Sequence, residues 1–202
     1  MEWIVALLIG GTISSVAWFI SRNREQLDRF ARQHGMTCCR TSGDAVLNGP
    51  WRGRHIHLFT ERRHVDGESK TCTRARTAIR FGLPPGVMIF ASKDRDDLSS
   101  GDAGRLVKLG DERLDEGLCV LGDDPEALRR LFSHPPFAQA VLALVTSPGA
   151  ARIVAPGFEL CLPRWTEDAT AVAGLLDQTT SAVDALEATL RWRPGDEPAP
   201  TP

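Results

Sequence analysis

Near the N-terminus Trp3–Ile20 is a run of 18 residues without a formal charge in which apolar side chains predominate. As a helix rising 1.5 Å per residue it reaches about 27 Å, close to the hydrocarbon thickness of a bilayer, so the pattern predicts a transmembrane anchor over residues 1–21. Trp3 and Trp18 suit the two headgroup boundaries, while Gly10, Gly11, Ser14 and Ser15 form small-xxx-small pairs through which two spans can approach and self-associate. A cleaved secretory signal is the competing reading. Against it, no Lys or Arg precedes the run and no small-x-small cleavage site follows it. Arg22, Arg24, Arg29 and Arg32 lie just after the span, which places the rest of the chain in the cytoplasm and the N-terminus outside.

Beyond the span the period changes twice. Leu27, Phe30 and Ala31 share one side of a short amphipathic stretch that closes at Gly35, which predicts a juxtamembrane helix over residues 22–35. From Met36 to Ala91 short apolar runs alternate with Gly49-Pro50, Asp66-Gly67 and Leu83-Pro84-Pro85-Gly86, the pattern of an antiparallel meander with strands near 37–40, 45–47, 55–59, 71–81 and 87–91. Within it Ile56 and Leu58 oppose His55, His57 and Phe59. Ala75, Thr77, Ile79 and Phe81 likewise oppose Arg74, Arg76 and Arg80, so one face reads as core and the other as basic.

Lys93–Gly104 has no apolar period and reads as an acidic loop, followed by a strand pair over 106–109 and 118–121 joined through a solvated acidic turn at Asp111–Glu116. Asp124-Pro125-Glu126 then supplies an N-cap, a proline at the first helical position and an acid in the first turn. Phe137–Val145 is apolar nearly all round but too short to span a bilayer, which makes it a buried helix. A hairpin turning near Pro156-Gly157 follows. The last helix is expected to be capped by Thr166, with Val172, Leu175, Leu176, Val183 and Leu186 packed on the sheet. Four prolines in residues 193–202 predict a disordered tail, leaving 36–192 as the soluble domain. The fold class is therefore α+β: an N-terminal transmembrane helix, then an antiparallel sheet with helices packed on one face.

Composition adds compartment. Five cysteines, two of them adjacent at Cys38 and Cys39, form no disulfide framework and fit a reducing cytoplasm. Arginine outnumbers lysine 21 to 3, a skew that points to a GC-rich bacterial genome and hence to a bacterial inner membrane. Net charge is −2, yet Trp51–Arg80 carries +5 and Asp94–Arg130 carries −5. The candidate binding residues are Arg54, Arg74, Arg76 and Arg80 with His55 and His57, a strip whose cations suit lipid or nucleic-acid phosphates. The overall pI near 6.2 and the anchor disfavour nucleic acid.

Chemistry is sparse. His55, His57 and His64 with Cys38, Cys39 and Cys72 are the one set with metal-ligand donors in neighbouring strands, but no C-x-x-C or H-E-x-x-H accompanies them. There is no P-loop, no G-x-S-x-G and no G-x-G-x-x-G opening a helix, so no catalytic residue and no cofactor is assigned.

The segments G-P-W-R-G-R-H-I-H-L at 49–58, L-P-P-G at 83–86 and G-D-E-R-L-D-E-G-L-C-V-L-G-D-D-P at 110–125 resemble a group of uncharacterised bacterial single-pass membrane proteins with a cytoplasmic α+β domain. That group carries an F-D-x-x-F pair where this chain has Leu114-Asp115 and Leu118. The resemblance implies the fold over 36–190 and no site residue. The expected function is binding: a membrane-anchored scaffold module in a larger assembly, its partners the bilayer, an unidentified protein and a second copy through the span. The alternatives are a metal-dependent enzyme built on the His/Cys set and a binder of anionic lipid or nucleic acid through the arginine face.

Overall fold

A computed structural model of the chain describes residues 24–41, 44–65, 68–97, 101–147, 151–164 and 166–191. The expected span over 1–21, the Asp66-Gly67 turn and the tail after residue 192 lie outside the described residues. Among those residues no helix is long and apolar enough to cross a membrane.

Eight strands form an antiparallel sheet: β1 (Thr37–Thr41), β2 (Asp44–Trp51), β3 (Arg54–Val65), β4 (Glu68–Ala78), β5 (Met88–Ala91), β6 (Leu118–Leu121), β7 (Arg152–Val154) and β8 (Gly157–Leu162). Their order is β1-β2-β3-β4-β8-β7-β5-β6. The C-terminal hairpin thus enters beside β4 and joins the N-terminal meander to the β5–β6 pair. Helices are α1 (24–33), α2 (Glu112–Gly117), α3 (Pro125–Phe132), α4 (Pro135–Thr146) and α5 (Ala169–Arg191). The structure is therefore α+β, as the alternating periods imply.

Alternation along the strands builds the core. Ile56, Leu58, Ala75, Ile89, Ile153, Phe158 and Leu160 fall on one face, where they join Val172, Leu175, Leu176, Val183 and Leu186 of α5 in a single buried cluster. α5 packs on β4 and β8, and α4 packs on α5 and β5. Leu27, Phe30 and Ala31 of α1 belong to the same cluster, so the helix expected at the membrane junction is part of the domain's packing. Gly35, at φ +65°, ends α1 as expected, with the Met36 N–H donating to the Ala31 carbonyl at 2.8 Å. At Gly49 a β-carbon would stand 2.8 Å from Met36 Cα, so this glycine allows the α1–β1 connection to lie on β2.

Three local expectations are corrected. The acidic turn at Asp111–Glu116 is helix α2: Asp111 accepts from the Leu114 N–H at 3.0 Å as N-cap, Leu114 is buried, and Asp115 accepts from the Leu109 N–H at 2.8 Å. A helix wins because these acids satisfy backbone donors while one leucine finds the core. The strand expected over 106–109 shrinks to one bridge, Leu106 to Leu121. Thr166 does not cap α5. Asp168 takes the Ala171 N–H at 2.7 Å, while the Thr166 hydroxyl accepts from the Asp168 N–H at 3.1 Å.

Candidate functional site

The register that sends Ile56, Leu58 and Ala75 to the core sends His57, Phe59, Glu61, Cys72, Arg74 and Arg76 to the face opposite α5. Across β8 the cross-strand pairs are Arg74 with Cys161 and Arg76 with Glu159, and Arg152 of β7 stands opposite Glu159 in turn. Three guanidinium groups and two carboxylates therefore converge. Glu159, 0% exposed, is held by Arg76 through one oxygen and by Arg152 through the other, with Arg74 Nη1 3.7 Å from the second. Glu61 accepts from Arg74 Nε and lies 3.6 Å from Arg152 Nη2, and the Cys72 thiol donates to it at 3.8 Å. Burial of Glu159, and partial burial of Glu61, is tolerable because each is multiply paired.

The cluster is not electrically closed. Among the described residues its three arginines against two glutamates leave one excess positive charge, and Arg74, 1% exposed, makes no hydrogen bond at Nη1 or Nη2. Arg76, with 44% of its side chain exposed, also lies over the Phe59 ring at 5.6 Å, and that ring stacks on His57 at 5.2 Å. Burial, then the neighbouring charges of Arg76 and His55, hold the His57 imidazole below its ordinary range and so uncharged at neutral pH.

Of the residues singled out from the sequence, Arg74, Arg76, His55 and His57 come together on this face. Arg54 does not. It lies on the α5 side, buried, where its guanidinium donates to Glu187 at 3.1 and 2.8 Å, to Asp184 at 3.0 Å and to the Ala78 carbonyl at 3.3 Å. Arg80 stands past the end of β4, its Nη2 donating to the Gly53 carbonyl at 2.8 Å and its backbone N–H to Glu187 at 2.7 Å. The basic strip is thus divided between the two faces and one strand end. Glu187 is held below the usual carboxylate range, first by its bond from Arg54 and then by the Arg80 N–H, against the opposing effect of burial.

Sequence reasoning missed Glu61, Glu159 and Arg152. Glu159 had a signal: it is the one charge in Gly157–Leu162, alternating with Phe158 and Leu160, and a lone acid within a buried strand needs a cation nearby. Of the proposed metal donors, Cys38 belongs elsewhere. It lies near Asp28, and burial together with a hydrogen bond to that carboxylate pushes its thiol up to about 11. Among the described residues no three His, Cys, Asp or Glu side chains are grouped to hold a metal ion. Comparison with family models, with curated proteins and with solved structures finds no match.

Proposed function

We propose that the chain is a single-pass inner-membrane protein whose cytoplasmic domain is a binding module, and that the sheet face opposite α5 receives an acidic segment of a partner protein in a membrane-associated assembly. The observation that carries this reading is the Arg74–Arg76–Arg152 cluster. Buried donors in folded proteins almost always find acceptors, so a guanidinium whose Nη1 and Nη2 make no hydrogen bond among the described residues, Nη1 reaching Glu159 only at 3.7 Å, beneath a half-exposed Arg76 favours an incoming carboxylate over a purely structural network. The excess positive charge has the sign such a partner requires, and the His57–Phe59 stack beside it offers an apolar contact. The His/Cys enzyme reading has no grouped donors to support it among the described residues.

Photo-crosslinking in native membranes tests the proposal. A photoreactive amino acid replacing His57 is expected to give a discrete adduct that Arg76→Glu abolishes, while the same probe replacing the exposed Gln178 on α5 gives none. Equal labelling from both positions, or an adduct indifferent to Arg76→Glu in a folded protein, would assign binding to another surface.

A further inference from the structure

Arg74 has more donors than its surroundings have acceptors. In register it stands between Phe59 of β3 and Cys161 of β8, and two positions away on the same face of β4 are Cys72 and Arg76. An aromatic ring, two sulfurs and a second cation supply no strong acceptor. Both thiols donate elsewhere, Cys72 to Glu61 at 3.8 Å and Cys161 to the Leu162 carbonyl at 3.4 Å. The carboxylates are committed as well. Glu61 takes Arg74 Nε, while Glu159 gives one oxygen to Arg76 and the other to Arg152 and leaves Arg74 Nη1 at 3.7 Å. The N–H groups on Nη1 and Nη2 therefore make no hydrogen bond among the described residues.

Those two nitrogens are shielded from solvent, and Arg74 as a whole is 1% exposed. A desolvated guanidinium with unmade bonds is costly unless an acceptor reaches it. That acceptor is small, since it has to lie within the cluster to meet shielded atoms. It is also negative: a water would satisfy the donors but leave three arginines facing two glutamates, whereas a monovalent anion answers both the bonds and the charge. Cys72 and Cys161, 7% and 4% exposed, flank the guanidinium with polarisable sulfur in place of oxygen, so no further carboxylate repels such an ion from that side.

We propose that one small inorganic anion of the halide class, such as chloride, binds at Arg74 Nη1 and Nη2 and fills the cluster until a partner's carboxylate displaces it, an inference that rests on the reading of this face as the partner's site.

Thermal unfolding of the full-length protein in a nonionic detergent, in sodium chloride or in sodium gluconate at one ionic strength, tests the site. Screening is then equal, and gluconate is too large to reach shielded nitrogens. With chloride at about ten times its dissociation constant, mass action is expected to raise the midpoint by about 3–6 °C over gluconate, and bromide to do the same. Protein-dependent broadening of the chloride NMR line should fall at least fivefold in Arg74→Met. If Arg74→Met does not fold, Arg76→Gln decides: it balances two arginines against two glutamates and leaves a Glu159 oxygen for Arg74, so broadening should fall at least threefold. Equal wild-type midpoints in chloride and gluconate would put a water where the anion is proposed, and broadening retained in a folded variant would put the ion elsewhere; either overturns the inference. The partner reading is scored separately, by the photo-adduct from position 57. An adduct at least twofold weaker in chloride than in gluconate supports displacement, and one indifferent to chloride overturns it. A chloride-dependent midpoint with no adduct at all removes the partner and leaves the anion site standing.

Discussion

Single residues on this sheet are decided by which carboxylate they meet. Arg54 is the sharpest case, because replacing it with Met leaves Glu187 buried beside a hydrocarbon. Breaking such a pair costs about 3–5 kcal/mol, so Arg54→Met is expected to lower unfolding free energy in urea by that amount. Arg54→Met combined with Glu187→Leu should recover much of the loss, since removing both charges avoids the stranded one. His57 gives a second test. Its folded pKa lies below the unfolded value of 6.5, so its contribution to stability is present above pH 6.5 and is lost as pH falls from there through the folded pKa. The His57 ring resonances should therefore titrate below 6.5, and Arg76→Ala should move the midpoint upward by removing one of the charges that depress it; a midpoint unmoved by that change would separate the two side chains.

At the scale of elements, local signals and tertiary demands divide the outcome. α3 was legible because Asp124 and Pro125 announce its start, and the Asp124 side chain does accept from the Ala127 N–H at 2.9 Å. α2 was not, since its six residues hold five polar or glycine positions and only Leu114 reaches the core. A helix that short depends on its cap, so Asp111→Ala is expected to cost about 1 kcal/mol and to speed amide exchange at Leu114 ahead of α3. The α1–β1 connection depends on Gly49 instead. A methyl there meets backbone of Met36, so Gly49→Ala should destabilise by about 1–3 kcal/mol, read as a lower urea midpoint with unchanged slope.

For the whole molecule, topology is the first quantity to measure. The basic flank after Ile20 predicts that a reporter active only in the cytoplasm, fused after Pro202, is active. Activity of an export-dependent reporter at that site would reverse the placement. On the proposed reading of residues 1–21 as a span that self-associates, replacing Gly10, Gly11, Ser14 and Ser15 with Leu should abolish crosslinked dimers, because bulkier side chains prevent the close approach of two backbones.

What the chain's own pattern determined is the part of the architecture that repeats locally: the period-2 faces of β3 and β4, the helical stripe of α5, the caps of α1 and α3, and the antiparallel character of the sheet. Each depends on neighbours within a few residues, where propensity, alternation and capping act directly. What the tertiary structure decided is pairing. Glu159 and Arg74 are 85 positions apart in sequence, and only the insertion of β8 beside β4 turns a lone acid in an apolar strand and a run of alternating arginines into one ion-paired cluster. Likewise α5 removes Arg54 from the basic strip by meeting it with two carboxylates. Charge along a strand is local information; its neutralisation depends on which distant strand or helix lies alongside.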